Sequence, residues 1–340
     1  KVAASALYTE GGDSTIVVDG AGAKQHGWGE SWNFGNEALF HVSGANNMFY
    51  SVREGKVEQD GINFPEFGRM IDAQIAGHTD AIIVAGTTGE AATMSDAEHK
   101  DAIKFAVEHT KGRVPVVAGT GSNDTAYAVS LSKFAEEVGA DGLLLVTPYY
   151  NKASQQGLII HYTKIAEAVN IPIILYNVPS RTGVNIQPET LKELAKVENI
   201  VAVKEASGNI SQIARVAALC GDELTIYSGN DDQIIPIMAL GGKGVISVLS
   251  NVMPFETHEI AALCLENNYP EAQAKMNKLL EFANSNGLFC DVNPIPVKEA
   301  LNIMGFNAGE CRLPLSKMSD EKIEKLTAKM QELGLVGKVK

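Results

Sequence analysis

The sequence predicts an α/β protein: a (β/α)8 TIM barrel with a C-terminal helical layer and an atypical β-rich segment at its N-terminus. Two observations carry this prediction. From about residue 80 to residue 251, strand and helix patterns alternate every 25 to 30 residues or so, the signature of parallel βαβ units. Each strand candidate is a short Val/Ile/Leu run, apolar on both faces, as parallel strands covered by helices must be. The competing architecture, an open doubly wound sheet, lacks its fingerprint. Gly20-Ala-Gly22 is followed by Gln25 where a dinucleotide-binding turn needs a third glycine.

In chain order the expected strands are Asp80–Gly86, Val114–Thr120, Asp141–Thr147, Pro172–Val178, Ile200–Glu205, Leu224–Gly229 and Gly244–Asn251. Helices separate them. Asn63–Gly77 is the first, and Ser95-Asp-Ala-Glu98 opens the second with a capping-box pattern. Asn123–Gly139, Ser154–Val169, Pro188–Val197, Ile210–Cys220 and Asp231–Leu240 follow. Seven strands need an eighth to close a barrel, and it must lie before Asn63. Of three β-like runs there, Thr15–Val18, Ala38–Val42 and Met48–Val52, the last is assigned that place because it directly precedes the first helix. From Pro254 onward four helical patterns follow without a strand, ending in Ser319–Leu333, which is polar on one face. The expected regions are therefore an N-terminal extension of unassigned role (1–45), the barrel (46–253) and a C-terminal helical region (254–340).

Composition bounds the function. With 45% apolar and 20% charged residues, the 340-residue chain reads as a water-soluble globular protein. A net charge of −13 with no basic stripe argues against nucleic acid, and no apolar run approaches the ~20 residues that span a bilayer. The cysteines Cys220, Cys264, Cys290 and Cys311 are widely spaced, with no CxxC pair, which suits a reducing cytoplasm. None of the seven scattered histidines pairs with a cysteine at ligand spacing, so no metal site is expected.

In such a barrel the reactive side chains collect at the C-terminal ends of the strands. Lys204 ends the apolar run Ile200-Val-Ala-Val203. A buried ammonium without a partner tends to lose its proton, and the neutral amine attacks carbonyl carbon. Taken alone, the segment favours a lysine that snorkels to water or pairs with Glu205. Strand alternation puts Lys204 and the small Ala202 on one face, with Val201 and Val203 on the other, leaving room for a ligand below the lysine. Tyr176 ends the neighbouring strand, Tyr149 and Tyr150 follow Thr147-Pro148, and Thr87 and Thr88 follow Gly86. A lysine imine must gain and lose protons, which a tyrosine linked to further hydroxyls relays. The hydroxyls and amides of Gly86-Thr-Thr-Gly89 suit a keto-acid carboxylate, and Arg181, in the turn Pro179–Gly183, suits a second one. Singly these residues are commonplace; their convergence at one end of one barrel carries the reading.

At this point the residues resemble a known family. Gly86-Thr-Thr-Gly-Glu90, Val146-Thr-Pro-Tyr-Tyr-Asn151, Tyr176-Asn-Val-Pro-Ser-Arg-Thr-Gly183 and Val203-Lys-Glu-Ala-Ser-Gly208 are similar to motifs of the dihydrodipicolinate synthase family. Gly244–Val248 and Asn293–Lys298 also fit, and the resemblance spans about residues 60 to 335. It implies a class I aldolase of the lysine (diaminopimelate) pathway, a lyase that needs no cofactor. Lys204 would condense with pyruvate, and the enamine would attack L-aspartate 4-semialdehyde to give 4-hydroxy-tetrahydrodipicolinate. Tyr176 would orient the imine and pass protons through Thr87 and Tyr150. Thr88 would hold the pyruvate carboxylate and Arg181 that of the semialdehyde, while Ile246 and Gly229 would line the pyruvate pocket. The family's tyrosine matching Tyr150 reaches in from a neighbouring subunit, implying a homotetramer of two tight dimers. The resemblance also leaves open a lyase on another 2-keto-3-deoxy acid, such as N-acetylneuraminate, or an impaired barrel acting as a scaffold.

Two departures from the family pattern stand out. Where the first strand normally ends in a Thr-Pro turn, this chain has Val52-Arg-Glu-Gly-Lys-Val57. Asn123, His99 and Tyr149 match the family's allosteric pocket, but Tyr127 stands where lysine-inhibited members carry glutamate and Ala91 replaces a common serine. Weak or absent feedback by lysine is therefore expected.

Overall fold

The computed structural model describes residues 48–53, 56–283 and 287–339. The 1–45 extension, with Thr15–Val18 and Ala38–Val42, lies outside the described residues. The first two strands, β1 (Met48–Arg53) and β2 (Lys56–Ile62), pair antiparallel as a separate two-stranded sheet. Helix α1 (Phe64–Ala76) follows, with the Asn63 side chain accepting from the Glu66 N–H at its start.

Seven parallel strands then form one sheet in unbroken chain order. They are β3 (Ile82–Val84), β4 (Val116–Gly119), β5 (Gly142–Val146), β6 (Ile173–Asn177), β7 (Ile200–Glu205), β8 (Thr225–Ser228) and β9 (Gly244–Val245). The connecting helices are α2 (Asp96–Thr110), α3 (Thr125–Glu137), α4 (Gln155–Ala166), α5 (Pro179–Thr182), α6 (Pro188–Leu194), α7 (Ile210–Cys220) and α8 (Ile234–Ala239). The capping box expected at Ser95 is present in full, with Ser95 and Glu98 each bonding the other's backbone N–H. Just before β3, the Gln74 amide of α1 donates to the carbonyls of Ser250 and Asn251 beyond β9, at 3.1 and 3.2 Å. The two ends of the sheet thus curl toward each other, as the wall of a (β/α)8 barrel does.

One strand assignment is corrected. Met48–Val52 does not occupy the eighth barrel position but pairs with β2, Val52 opposite Val57. Two residues separate these strands, a distance that supports an antiparallel hairpin, whereas a parallel neighbour needs a crossover. Among the described strands none lies between β9 and β3.

Strand alternation sorts the apolar side chains into two layers. Ile82, Val84, Leu143, Leu145, Leu175 and Val203 pack outward against the helices. Ile83, Leu144, Ile174, Tyr176, Ala202, Tyr227 and Ile246 pack inside the curl. Each such aliphatic side chain, fully buried, contributes about 1.5–3 kcal/mol. Val203 and Ala202 therefore take the faces that parity predicts. Val201 does not: β7 carries an extra residue against β6 at this point, and Val201 packs on the inner cluster.

The last expected strand is also shorter than its sequence suggests. Gly244–Asn251 is a strand only over Gly244–Val245 and becomes a 3-10 turn at Leu249–Asn251. The Asp231 carboxylate accepts the backbone N–H groups of Val248 and Leu249, both at 3.1 Å, which pulls this segment out of the ladder. The four tail helices are α9 (Pro254–Leu265), α10 (Tyr269–Phe282), α11 (Ile295–Met304) and α12 (Asp320–Glu332). They form a layer whose own core (Ile260, Met276, Leu301, Leu326) reaches Met70 of α1 and Ile234 of α8.

Candidate active site

Lys204 lies on β7 opposite Tyr176 of β6 on one side and Tyr227 of β8 on the other. Its side chain is buried, and its Nζ sits 4.3 Å from the centre of the Tyr176 ring. No carboxylate is within ion-pair distance of it among the described residues. Glu205 is not its partner, because alternation turns that side chain the other way. Glu205 instead accepts from Asn177 Nδ2 at 3.1 Å and from the Ser207 N–H at 2.8 Å. Burial is the largest influence on Lys204 and brings its pKa down to about 7. The charge of Asp231 opposes the fall and that of Arg181 adds to it. A large fraction of the amine is unprotonated at neutral pH, which is the form that adds to a carbonyl.

Tyr176 is buried too, and burial raises its phenol. The nearby Thr87 side chain and the Arg181 charge work the other way. Lys204, Tyr176 and Thr87 thus lie together. Thr88, next to Thr87 in the turn after β3, is buried, and its Oγ1 accepts from Asn293 Nδ2 at 3.0 Å. Arg181 is exposed on α5, a single helical turn where a loop turn was expected. Thr147, at the end of β5, donates to Thr182 Oγ1 at 3.0 Å and so anchors that turn. The guanidinium donates to the Asn293 carbonyl at 3.2 Å. Threonine turn and arginine, far apart in sequence, are bridged by one residue.

Ile246 is fully buried on the inner face, its N–H donating to the Ser228 carbonyl at 2.8 Å. Gly229 must be glycine for reasons of space. A Cβ there would stand 2.7 Å from Ala206 Cβ and 3.0 Å from the Glu205 carbonyl oxygen. Tyr150 is different. It is 89% exposed at φ 75°, and among the described residues no hydrogen bond joins it to Tyr176 or Thr87 within the chain. Of the residues matched to the allosteric pocket, Asn123 donates to the Tyr149 carbonyl at 3.2 Å. His99 is buried with its Nε2 bonded to the Gly119 carbonyl at 2.8 Å, and burial lowers its pKa.

Two residues escaped the sequence reading. Asp231, two residues past Gly229, is buried with Oδ2 held by backbone N–H groups and Oδ1 without a hydrogen-bond partner. It is the acidic charge that bears on Lys204. Its place beyond a strand's C-terminal end was the available signal. Asn293 had none, since its motif lies in the tail, far from any strand. No helix among the described residues is long and apolar enough to cross a membrane.

Comparison with known proteins shows the family. A model of the dihydrodipicolinate synthetase family matches residues 53–333. The 4-hydroxy-tetrahydrodipicolinate synthase of Acetivibrio thermocellus is 52% identical over 278 residues, 82% of this chain and 94% of its own. That of Caldicellulosiruptor bescii is 54% identical over 278 residues, 82% and 93% of the two chains. The crystal structure of dihydrodipicolinate synthase from Aquifex aeolicus superposes with a TM-score of 0.81 at 42% identity, covering 88% of this chain and 99% of that one. With sequence, fold and motif order in agreement along most of its length, the chain belongs to the dihydrodipicolinate synthetase family.

Proposed function

We propose that this chain is a 4-hydroxy-tetrahydrodipicolinate synthase, a lyase of the class I aldolase type that condenses pyruvate with L-aspartate 4-semialdehyde. The reaction belongs to lysine and diaminopimelate biosynthesis. One observation carries the reading: a buried lysine with a pKa near 7, its amine 4.3 Å from the ring centre of a buried tyrosine on the neighbouring strand.

The roles follow from chemistry. Lys204 Nζ adds to C2 of pyruvate, and loss of water gives the iminium. Removal of a C3 proton gives the enamine, whose C3 attacks the aldehyde carbon of the second substrate. Tyr176, through Thr87, accepts and returns the protons that carbinolamine and alkoxide exchange. Attack of the semialdehyde amine on C2 then closes the ring and releases Lys204. Thr88 and the amides of its turn hold the pyruvate carboxylate, and Arg181, exposed at the rim, holds that of the semialdehyde. Gly229 and Ile246 leave space for the small keto acid and wall it.

Tyr150 completes the proton path from a neighbouring copy. The 89% exposure of its aromatic side chain, next to the exposed Tyr149, supports this reading. The assembly we propose is a homotetramer of two dimers. The free thiols of all four cysteines support a cytoplasmic location.

Borohydride reduction in the presence of pyruvate tests the core of this reading. The expected result is one irreversible pyruvate adduct, mapped to Lys204 and absent in Lys204→Ala. A folded protein that takes up no pyruvate refutes it. Comparing turnover of aspartate semialdehyde with that of N-acetylneuraminate and keto-deoxygluconate then decides the second substrate.

A further inference from the structure

The turn that carries Thr87 and Thr88 ends in a buried charge. Glu90 is buried and adopts φ 55°, a left-handed conformation that costs a non-glycine residue roughly 1–2 kcal/mol. Its N–H closes the turn onto the Thr87 carbonyl at 3.1 Å. Both carboxylate oxygens are held by the C-terminal layer. Oε2 accepts from Lys298 Nζ of α11 at 2.7 Å, and Oε1 accepts from the backbone N–H of Arg312 at 2.7 Å. Lys298 is equally buried and donates also to the Glu310 carbonyl at 2.7 Å. The Arg312 guanidinium spans from the Thr93 carbonyl, just past the turn, to the Glu98 carboxylate, which it holds down at a pKa of about 2.

We propose that Glu90 and Lys298 are positioning residues for the site: their ion pair clamps the Thr87–Thr88 turn in its carboxylate-receiving shape, so the C-terminal layer sets pyruvate affinity. A pair that merely stapled the tail to the barrel could sit anywhere along the interface. This one sits three residues after Thr87, on the residue whose N–H closes the turn. Asn293, which precedes α11 and so belongs to the same layer, reaches Thr88 itself. A carboxylate gripped at both oxygens has little freedom to rotate, and displacements of about 1 Å in such a site can cost a hundredfold in rate.

The inference rests on the pyruvate reading of the site, and the experiment separates the two. Half-saturation by pyruvate is measured from borohydride trapping and from steady-state turnover in the full-length protein. Glu90→Gln/Lys298→Met removes both charges and nearly conserves volume, avoiding a single unpaired buried charge. Expected are a rise of roughly tenfold or more in the pyruvate KM, a smaller change in kcat, and a nearly unaltered KM for the single charge-conserving variant Lys298→Arg. Glu90→Asp keeps the charge but shortens the reach by one methylene. It is expected to raise KM in a protein with unaltered circular dichroism, and it decides the matter if the double variant does not fold. Unchanged pyruvate half-saturation in either folded variant overturns the clamp alone. A wild-type protein that traps no pyruvate overturns the site reading and the clamp together.

Discussion

The amine of Lys204 rests 4.3 Å above the ring of Tyr176, and the two residues are also register partners on adjacent strands. The tyrosine therefore does two separable things. Its ring seats the amine, and in the proposed reaction its hydroxyl, near Thr87, handles protons. Tyr176→Phe keeps the first and removes the second. Condensation should slow by roughly 10²–10⁴ while the pyruvate adduct at Lys204 still forms. Single-turnover kinetics beside mass spectrometry of the reduced adduct make the comparison, and a Phe variant with wild-type rates would remove the relay.

The lysine should report its burial through pH. With a pKa of about 7, the rate of pyruvate capture should rise through neutrality and level off near pH 8. An ordinary exposed lysine would still be gaining near pH 10. Asp231→Asn removes the charge that holds this pKa up, so the midpoint of the profile should move to lower pH. A midpoint that stays put or rises would show that Asp231 does not act on the amine.

The same burial predicts a stability effect of opposite appearance. Unfolded, Lys204 keeps its proton up to about pH 10.5; folded, it loses it near pH 7. The unfolded chain thus binds more protons between these values, and stability gains from this group as pH rises through that window. Below pH 7 the buried ammonium exerts its full cost, of the order of 5 kcal/mol. Lys204→Met should therefore stabilise the inactive protein, strongly at pH 6 and little above pH 10. Urea titrations at the two pH values check it.

Gly229→Ala should be costly although its backbone is not left-handed. The new methyl meets Ala206 Cβ at 2.7 Å and the Glu205 carbonyl at 3.0 Å, so strands β7 and β8 must part or Ala206 must shift. Overpacking of this kind costs about 1–3 kcal/mol. Because Ala206 lies just past Lys204, pyruvate KM should rise in parallel. Equilibrium unfolding and steady-state kinetics measure the two effects.

Feedback should be weak. Tyr127 brings a phenol close to Asp96 and no carboxylate for a ligand. Millimolar L-lysine should leave the rate within about twofold, and Tyr127→Glu adds the acidic partner that a cationic amino acid requires. Inhibition of the wild-type protein at micromolar lysine would contradict this.

The sequence by itself determined the strand–helix alternation, the helix starts and the inward face of the lysine. These depend on side-chain periodicity and capping chemistry, which act over a few residues. Its motifs also led to the expectation of Lys204, Tyr176, Tyr149, Tyr150, Thr87 and Thr88 at one level; the structure brings Lys204 onto Tyr176 but leaves Tyr150 89% exposed. Only the tertiary structure decided where pairing was a competition. Met48–Val52 has the composition of a barrel strand, yet it pairs with the adjacent Lys56–Ile62 because closing so short a loop costs little. Likewise Val201 entered the inner layer through a bulge that no local pattern announces, and Val248–Leu249 left the ladder for the distant carboxylate of Asp231. Asn293, Lys298 and Arg312 reach the Thr87–Glu90 turn across about 200 residues of chain. No periodicity records contacts at that separation. They exist because the tail packs its own apolar core against α1 and α8, and the polar groups carried along must then find partners.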